Sequence, residues 1–232
     1  MIKKIYQVNE HALMCDFGDN INKKINSNVI SFFNHINNKI SIDKDLGIKN
    51  CVPSYNKLLI QYDLNKTNYN QIINLINAVS RDQLSDHVNE HLIELPICYE
   101  EEFALDLQDI AVKSNLNINE VINLHLSTEF YVYMIGFMPG LPFMGDLSNQ
   151  LFTSRLTTPR LRVPARSVAI VEKFCVIYPN ESPGGWNILG RTPQKLFFKE
   201  KNNPSLLKPG ALVKFQRISK REFIKLDSIQ HE

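Results

Sequence analysis

The chain has 232 residues, 44% of them hydrophobic and 22% charged, with a net charge of +2 at pH 7. That length suffices for one large domain or two small ones with a real core, and the near-neutral balance gives no strong pull toward nucleic acid or an anionic membrane. No run approaches the roughly 18 apolar residues of a membrane span, the opening MIKKIYQVNEHALMCDF lacks a signal-peptide core, and the four cysteines form no Cys-x-x-Cys pair; a cytoplasmic protein with reduced thiols is the economical reading.

Residues 2–8 and 12–17 read as strands. Between 21 and 36, Ile21, Ile25, Val29, Phe32, Phe33 and Ile36 recur at helical spacing. Residues 48–52 and 58–62 look like a hairpin pair. Tyr69, Ile72, Ile73, Ile76 and Val79 make a second amphipathic helix, and residues 92–97 a closing strand. Two helices on one face of a small, mainly antiparallel sheet account for this order, and a ferredoxin-like arrangement is expected. Asn117 with Glu120 has the pattern of a capping box opening a helix over 118–126. An apolar, aromatic run from 130 to 137 then reads as a buried strand.

Composition changes sharply past this point. Nine of the eleven prolines and seven of the nine glycines lie between Gly136 and Gly210. Short strands are expected at 167–171, 174–178, 196–198 and 211–217, separated by Pro and Gly turns, as in a sandwich or barrel. The whole is therefore read as α+β: an N-terminal α/β domain over 1–90, then a β-barrel domain over 91–232.

Within SPGGWNILGRTP, Gly185, Gly190, Arg191 and Thr192 have the spacing of a phosphate loop, with Arg in place of Lys. A phosphate loop must follow a strand and open a helix whose amides hold the phosphates. Here Asn202, Asn203 and Pro204 stop any such helix after about two turns, and no βαβ unit surrounds it. The glycines are better read as tight turns or points of close approach. Trp186, the single tryptophan, reads as a core aromatic or the wall of a site.

Five of the eight arginines, Arg155, Arg160, Arg162, Arg166 and Arg191, cluster in this half. In an extended TPRLRVPARSV, Arg160 and Arg162 point the same way and could hold a carboxylate or phosphate together; a solvated strand rim is the alternative. GFMPGLPFMGDL carries Met138, Leu141, Phe143 and Met144 on a punctuated loop, which favours a partner contact over folding back on the core. His125 shares a helical face with Ile118, Val121 and Ile122, so it is either a satisfied core residue or a base. No Gly-x-Ser-x-Gly elbow, His-Glu-x-x-His or metal-ligand cluster appears, and no metal is expected.

Taken in order and spacing, GFMPGLPFMGDL, TPRLRVPARSVAI and IYPNESPGGWNILGRTP resemble the family that unites allophanate hydrolase subunit 1, sporulation-kinase inhibitors and the B-type subunit of 5-oxoprolinase. ALMCDFGDNIN, PSYNKLLIQYD, ELPICYEEEFALDL and VINLHLSTEFYVYMIGFMPG extend the likeness over nearly the whole chain. The resemblance implies a small α/β domain followed by a cyclophilin-like barrel, working with a homologous second barrel subunit. In the 5-oxoprolinase version a third subunit joins, and the complex uses ATP with Mg2+ to open the lactam of 5-oxoproline, a small-molecule substrate, to glutamate. The nucleotide is then held by a partner subunit or at an interface. The other branches imply inhibition of a sensor histidine kinase, or hydrolysis of a urea-derived amide such as allophanate. Carried across residue by residue, the likeness implies His125, Arg160 and Arg162 as catalytic, and Gly136, Pro139, Gly140, Pro164, Tyr178, Ser182, Gly184, Gly185, Trp186 and Arg191 as binding residues. Several positions depart from the pattern: Glu100 and Glu101 replace paired glycines, Ala104 and Leu105 a Gly-Pro, Arg166 a small residue, and Glu172 to Cys175 a Gly-Gly-x-Thr turn. Glu and Lys in that last turn are expected to exclude positive φ and reshape the groove.

Overall fold

A computed structural model describes residues 1–80, 84 and 91–229. The chain divides into two units, Met1–Glu90 and His91–Glu232.

In the first unit, β1 (Lys4–Asn9) and β2 (Ala12–Asp16) form a hairpin, followed by α1 (Lys23–Ile42), β3 (Ile48–Pro53), β4 (Lys57–Tyr62) and α2 (Tyr69–Asn77). Asn22 starts α1 by accepting the Ile25 N–H at 2.9 Å, and Asn68 with Gln71 closes a capping box on α2. Val29, Phe32 and Ile36 on α1, Ile72 and Ile76 on α2, and Leu58, Ile60 and Tyr62 on β4 bury into one core. The helical and alternating periods of these residues are what place them there.

The sheet is antiparallel throughout, in the order β1-β2-β4-β3. β2, α1 and β3 form a split βαβ around β4, but the edge beside β2 is taken by β1. A ferredoxin-like βαββαβ order requires a strand after α2 at that edge. Residues 92–97 do not supply it, which corrects the expectation of a closing strand.

They form β5 (Leu92–Ile97) of the second unit, pairing in parallel with β13 (Leu212–Arg217). Between these come α3 (Leu107–Ser114), α4 (Ile118–Ser127), β6 (Phe130–Ile135), β7 (Pro142–Gly145), β8 (Arg160–Val163), β9 (Ser167–Val171), β10 (Phe174–Ile177), β11 (Ser182–Gly184) and β12 (Asn187–Arg191); α5 (Lys220–Ile229) follows β13. The Asn117–Glu120 box is formed, with both bonds present. Residues 196–198 form no strand; instead the Phe198 N–H donates to the Pro204 carbonyl and the Leu206 N–H to the Leu196 carbonyl, across a small loop that turns at Asn202 and Asn203.

The large sheet has the order β12-β9-β10-β7-β6-β13-β5. Its outer edges meet where Cys98 and Arg191 exchange N–H···O bonds of 2.9 and 3.0 Å, so it is a nearly closed, barrel-like sheet. Closure requires Gly190: a Cβ there would stand 2.7 Å from the Cys98 carbonyl oxygen. Gly190 thus lies within a strand with no helix after it, and the phosphate-loop spacing is a coincidence of sequence.

Every residue of β9 is buried. Val168 and Ile170 face the barrel core beneath α3 and α4, while Ala169 and Val171 face a second cluster with Leu141, Val163, Tyr178 and Trp186. A two-stranded ribbon of β8 and β11 contributes to that second cluster. Among the described residues no helix is long and apolar enough to cross a membrane, and the four cysteines are buried and unbonded.

Candidate functional site

The ribbon and the second cluster gather most of the residues singled out above. Tyr178 is buried at the end of β10, and Gly184 on β11 lies against its phenol, where a Cβ would stand 2.5 Å from the hydroxyl oxygen. Trp186 follows, buried, with Phe143 edge-on at 5.9 Å and the Arg155 guanidinium 6.0 Å from its ring. Gly185 accepts the Leu156 N–H at 2.8 Å, which ties the segment before β8 to the start of β12. Burial pushes the Tyr178 phenol above its usual range, against the pull of the Arg155 and Arg160 charges.

Arg160 is the centre of this arrangement. Its Nη2 donates to Asp106 Oδ1 at 2.6 Å, and the other carboxylate oxygen of Asp106 accepts the Ile188 N–H at 2.6 Å. Asp106 is only 3% exposed. It occupies the N-cap position of α3, yet its side chain makes no cap bond, so its whole acceptor capacity serves Arg160 and β12. The second amino group of Arg160, Nη1, is buried and has no partner among the described residues. A buried donor of a cationic group left unpaired is costly, and both Arg160 and Arg155 act on the buried Tyr178 phenol.

Arg162 does not join it. The pairing of β8 with β11 shifts between Ser182, opposite Val163, and Gly184, opposite Arg160. This bulge breaks the period of two, so Arg160 is 27% exposed and bound to Asp106 while Arg162 is 82% exposed, with Glu181 at 3.8 Å. The expected Arg160–Arg162 clamp is therefore not formed.

His125 is not at the site. It lies wholly buried in the barrel core, its Nδ1 2.7 Å from the Tyr99 hydroxyl and its Nε2 3.8 Å from Cys175 Sγ, with Phe130 and Phe215 packed on the ring. Burial pulls its pKa down to about 3, so it is a neutral core residue, and the catalytic expectation is corrected. Arg191 is also structural: its Nε donates to the Ala165 carbonyl at 2.8 Å and its head lies over Phe223 of α5.

Pro139 and Gly140 form the centre of a turn in which Leu141 N–H returns to the Met138 carbonyl, and Gly136 precedes it. Leu141 and Met144 are buried, and Met138 and Phe143 pack on the second cluster. The loop therefore folds back on the core rather than presenting these side chains. The exception is Phe137, 73% exposed with φ 67° at the centre of a three-residue turn closed by the Met138 N–H and the Gly136 carbonyl. Pro164 sits in the β8–β9 turn, where Ser167 bonds its carbonyl, and Ser182 opens β11.

The departures from glycine are absorbed by the backbone. Glu172, in the β9–β10 turn, has φ 52°, and Arg166 has φ 67°. The turn is thus kept at the cost of left-handed non-glycine residues, which corrects the expectation that positive φ would be excluded. Arg166 is held by the Pro193 carbonyl and Asp227.

Sequence reasoning missed Asp106. Its signal was available: an Asp directly before Leu107, Ile110 and Ala111, the start of a helical period. Among the described residues no group of three or more His, Cys, Asp or Glu is placed to hold a metal ion. A braced, partly exposed guanidinium with one unpaired donor has the chemistry to face a small anion and to stabilise negative charge that develops beside it.

A family model described as "Carboxyltransferase domain, subdomain C and D" matches residues 3–207. The chain is 35% identical over 232 residues to the B-type subunit of 5-oxoprolinase from Bacillus subtilis (strain 168), covering 95% of each chain. It is 43% identical over 133 residues to the B-type 5-oxoprolinase subunit of Haemophilus influenzae, covering 57% of this chain and 62% of that protein. The crystal structure of TTHA0988 superposes with a TM-score of 0.78 at 27% identity, covering 93% of this chain and 40% of that one.

Proposed function

Since the chain belongs to the family of the carboxyltransferase domain, subdomains C and D, and matches the B-type subunit of 5-oxoprolinase along almost its full length, we propose that it is the corresponding subunit of a complex that hydrolyses 5-oxoproline to glutamate. Its site residues are then Arg160, Asp106 and Arg155, framed by Tyr178, Gly184 and Trp186. The observation that carries this role is the braced Arg160, with one amino group committed to Asp106 and the other buried without a partner. Hydrolysis adds water to the lactam carbonyl and breaks its C–N bond, and the ring nitrogen takes a proton to become the amine of glutamate. Negative charge gathers on the carbonyl oxygen on the way, and a fixed guanidinium donor stabilises it. The substrate's own carboxylate is a second anion for Arg155.

ATP and Mg2+ do not fit this chain as a complete site. Gly185 to Thr192 lack the helix a phosphate loop needs, and no metal-ligand cluster is present among the described residues. The nucleotide is therefore assigned to a partner subunit or an interface, with a homologous second barrel subunit and a third subunit completing the complex. The barrel is read as cyclophilin-like on the strength of its motifs. The two 5-oxoprolinase relatives favour this reading over inhibition of a histidine kinase.

Reconstitution tests it. The chain is mixed with its partner subunits, and glutamate release from 5-oxoproline is followed with and without ATP. ATP-dependent release that needs this chain, and falls by about 100-fold or more in Arg160→Gln, is expected. A complex that assembles and turns over at the wild-type rate with Arg160→Gln refutes the role given to Arg160. An assembled complex that releases no glutamate refutes the activity.

A further inference from the structure

Helix α1 starts against its own dipole. Its first turn holds Lys23 and Lys24 and no acidic residue, although the N-terminal end of a helix favours negative charge. Beside this turn the first unit has a cavity of about 680 Å³, within the size range of small-molecule sites. Its floor includes Phe17, Phe32 and Ile76, all buried parts of the core. Its rim carries Lys3, Lys4 and Lys24, and the described lining contains neither Asp nor Glu. Lys3 has Asp19 within 3.6 Å, outside the lining, so Lys4 and Lys24 supply most of the rim's positive charge.

These features have a common chemistry. An apolar floor removes hydrocarbon from water, and cations at the mouth attract a negative head group. Neither feature alone selects a ligand; combined, they select a molecule with both parts. We propose that this cavity binds a small amphipathic carboxylate, with its apolar body against Phe17, Phe32 and Ile76 and its carboxylate at Lys4 and Lys24. The proposal is independent of the Arg160 site.

The test is isothermal titration of the full chain with decanoate below its micellar concentration, with decanol and inorganic phosphate as the two half-ligands. Saturable binding of one decanoate, at least tenfold tighter than either half-ligand, is expected. The Lys4→Gln, Lys24→Gln double variant is expected to weaken it about tenfold, as loss of two partly screened charges implies. Ser27→Trp, which fills the cavity from its wall, is expected to abolish it. Absence of saturable decanoate binding, decanol binding as tightly, phosphate binding as tightly, or full affinity in either variant overturns the proposal. Circular dichroism of both variants establishes that they are folded.

Discussion

Replacing Asp106 by Ala removes the acceptor for two donors at once, Arg160 Nη2 and the Ile188 N–H, each at 2.6 Å. Helix capping is not at stake, because the Asp106 side chain makes no cap bond. Breaking a fully buried ion pair costs about 3–5 kcal/mol, whereas exposed pairs are worth about 0.2–1 kcal/mol. Arg160 keeps 27% of its side-chain exposure, so its freed head regains part of its hydration, and the pair is put at about 2 kcal/mol. The stranded Ile188 N–H adds about 1 kcal/mol. Asp106→Ala is thus expected to destabilise the second unit by about 3 kcal/mol, and Asp106→Asn, which keeps an acceptor for Ile188, by about 2 kcal/mol. Urea unfolding followed by Trp186 fluorescence measures this directly, since the single tryptophan is buried in the second unit. A double-mutant cycle with Arg160→Met isolates the coupling, expected near 2 kcal/mol. Additivity within about 0.5 kcal/mol would refute the claim that Asp106 braces Arg160.

Three further outcomes are expected. Glu172→Gly relieves a left-handed non-glycine residue in the β9–β10 turn and raises stability by up to about 1 kcal/mol in urea titrations, whereas Lys173→Gly gives no gain; equal effects at both positions would contradict the strain argument. Gly190→Ala forces a Cβ to 2.7 Å from the Cys98 carbonyl oxygen and costs about 1–3 kcal/mol, while at Gly185 the nearest atom is 3.6 Å away and Ala costs under about 0.5 kcal/mol; the reverse order would refute the closure argument. His125, with its pKa lowered to about 3 by burial, is neutral when folded but takes a proton near pH 6.5 when unfolded. Its share of stability is complete above that pH and is lost as pH falls toward 3. Between pH 6.5 and 5, His125→Gln should therefore remove up to about 2 kcal/mol of the wild-type loss in urea titrations; identical pH dependence in both proteins would show that the ring is not held neutral.

Local periodicity carried much of the architecture. The helices from Lys23 and Ile118, the strands around Leu58 and Ser167, and the capping box at Asn117 were all readable, because apolar spacing and caps act within a few residues. What failed depended on distant partners. Residues 92–97 look like a strand in any context; only their parallel pairing with β13 assigns them to the second unit. Arg160 and Arg162 look like a matched pair until the register shift opposite β11 turns them to different surroundings. His125 has the chemistry of a base in sequence and the surroundings of a core residue in space. Asp106 stands 54 positions from Arg160, and no local pattern joins them.

The pairing of β5 with β13 has a further consequence for how the protein is made. β5 is the first strand of its unit to leave the ribosome and β13 is the last, with Leu92 lying on Leu212 and Ile97 on Arg217. Synthesis at about 5–20 residues per second leaves β5 waiting for several seconds for the strand it pairs with along its whole length. Long-range parallel pairing of this kind is also intrinsically slow. The first unit, whose described strands and helices all precede residue 78, meets no such delay. A nascent chain that stalls before Leu212 would therefore carry a finished first unit, an unclosed barrel and an apolar strand without a partner, the state that chaperones and proteases are suited to detect.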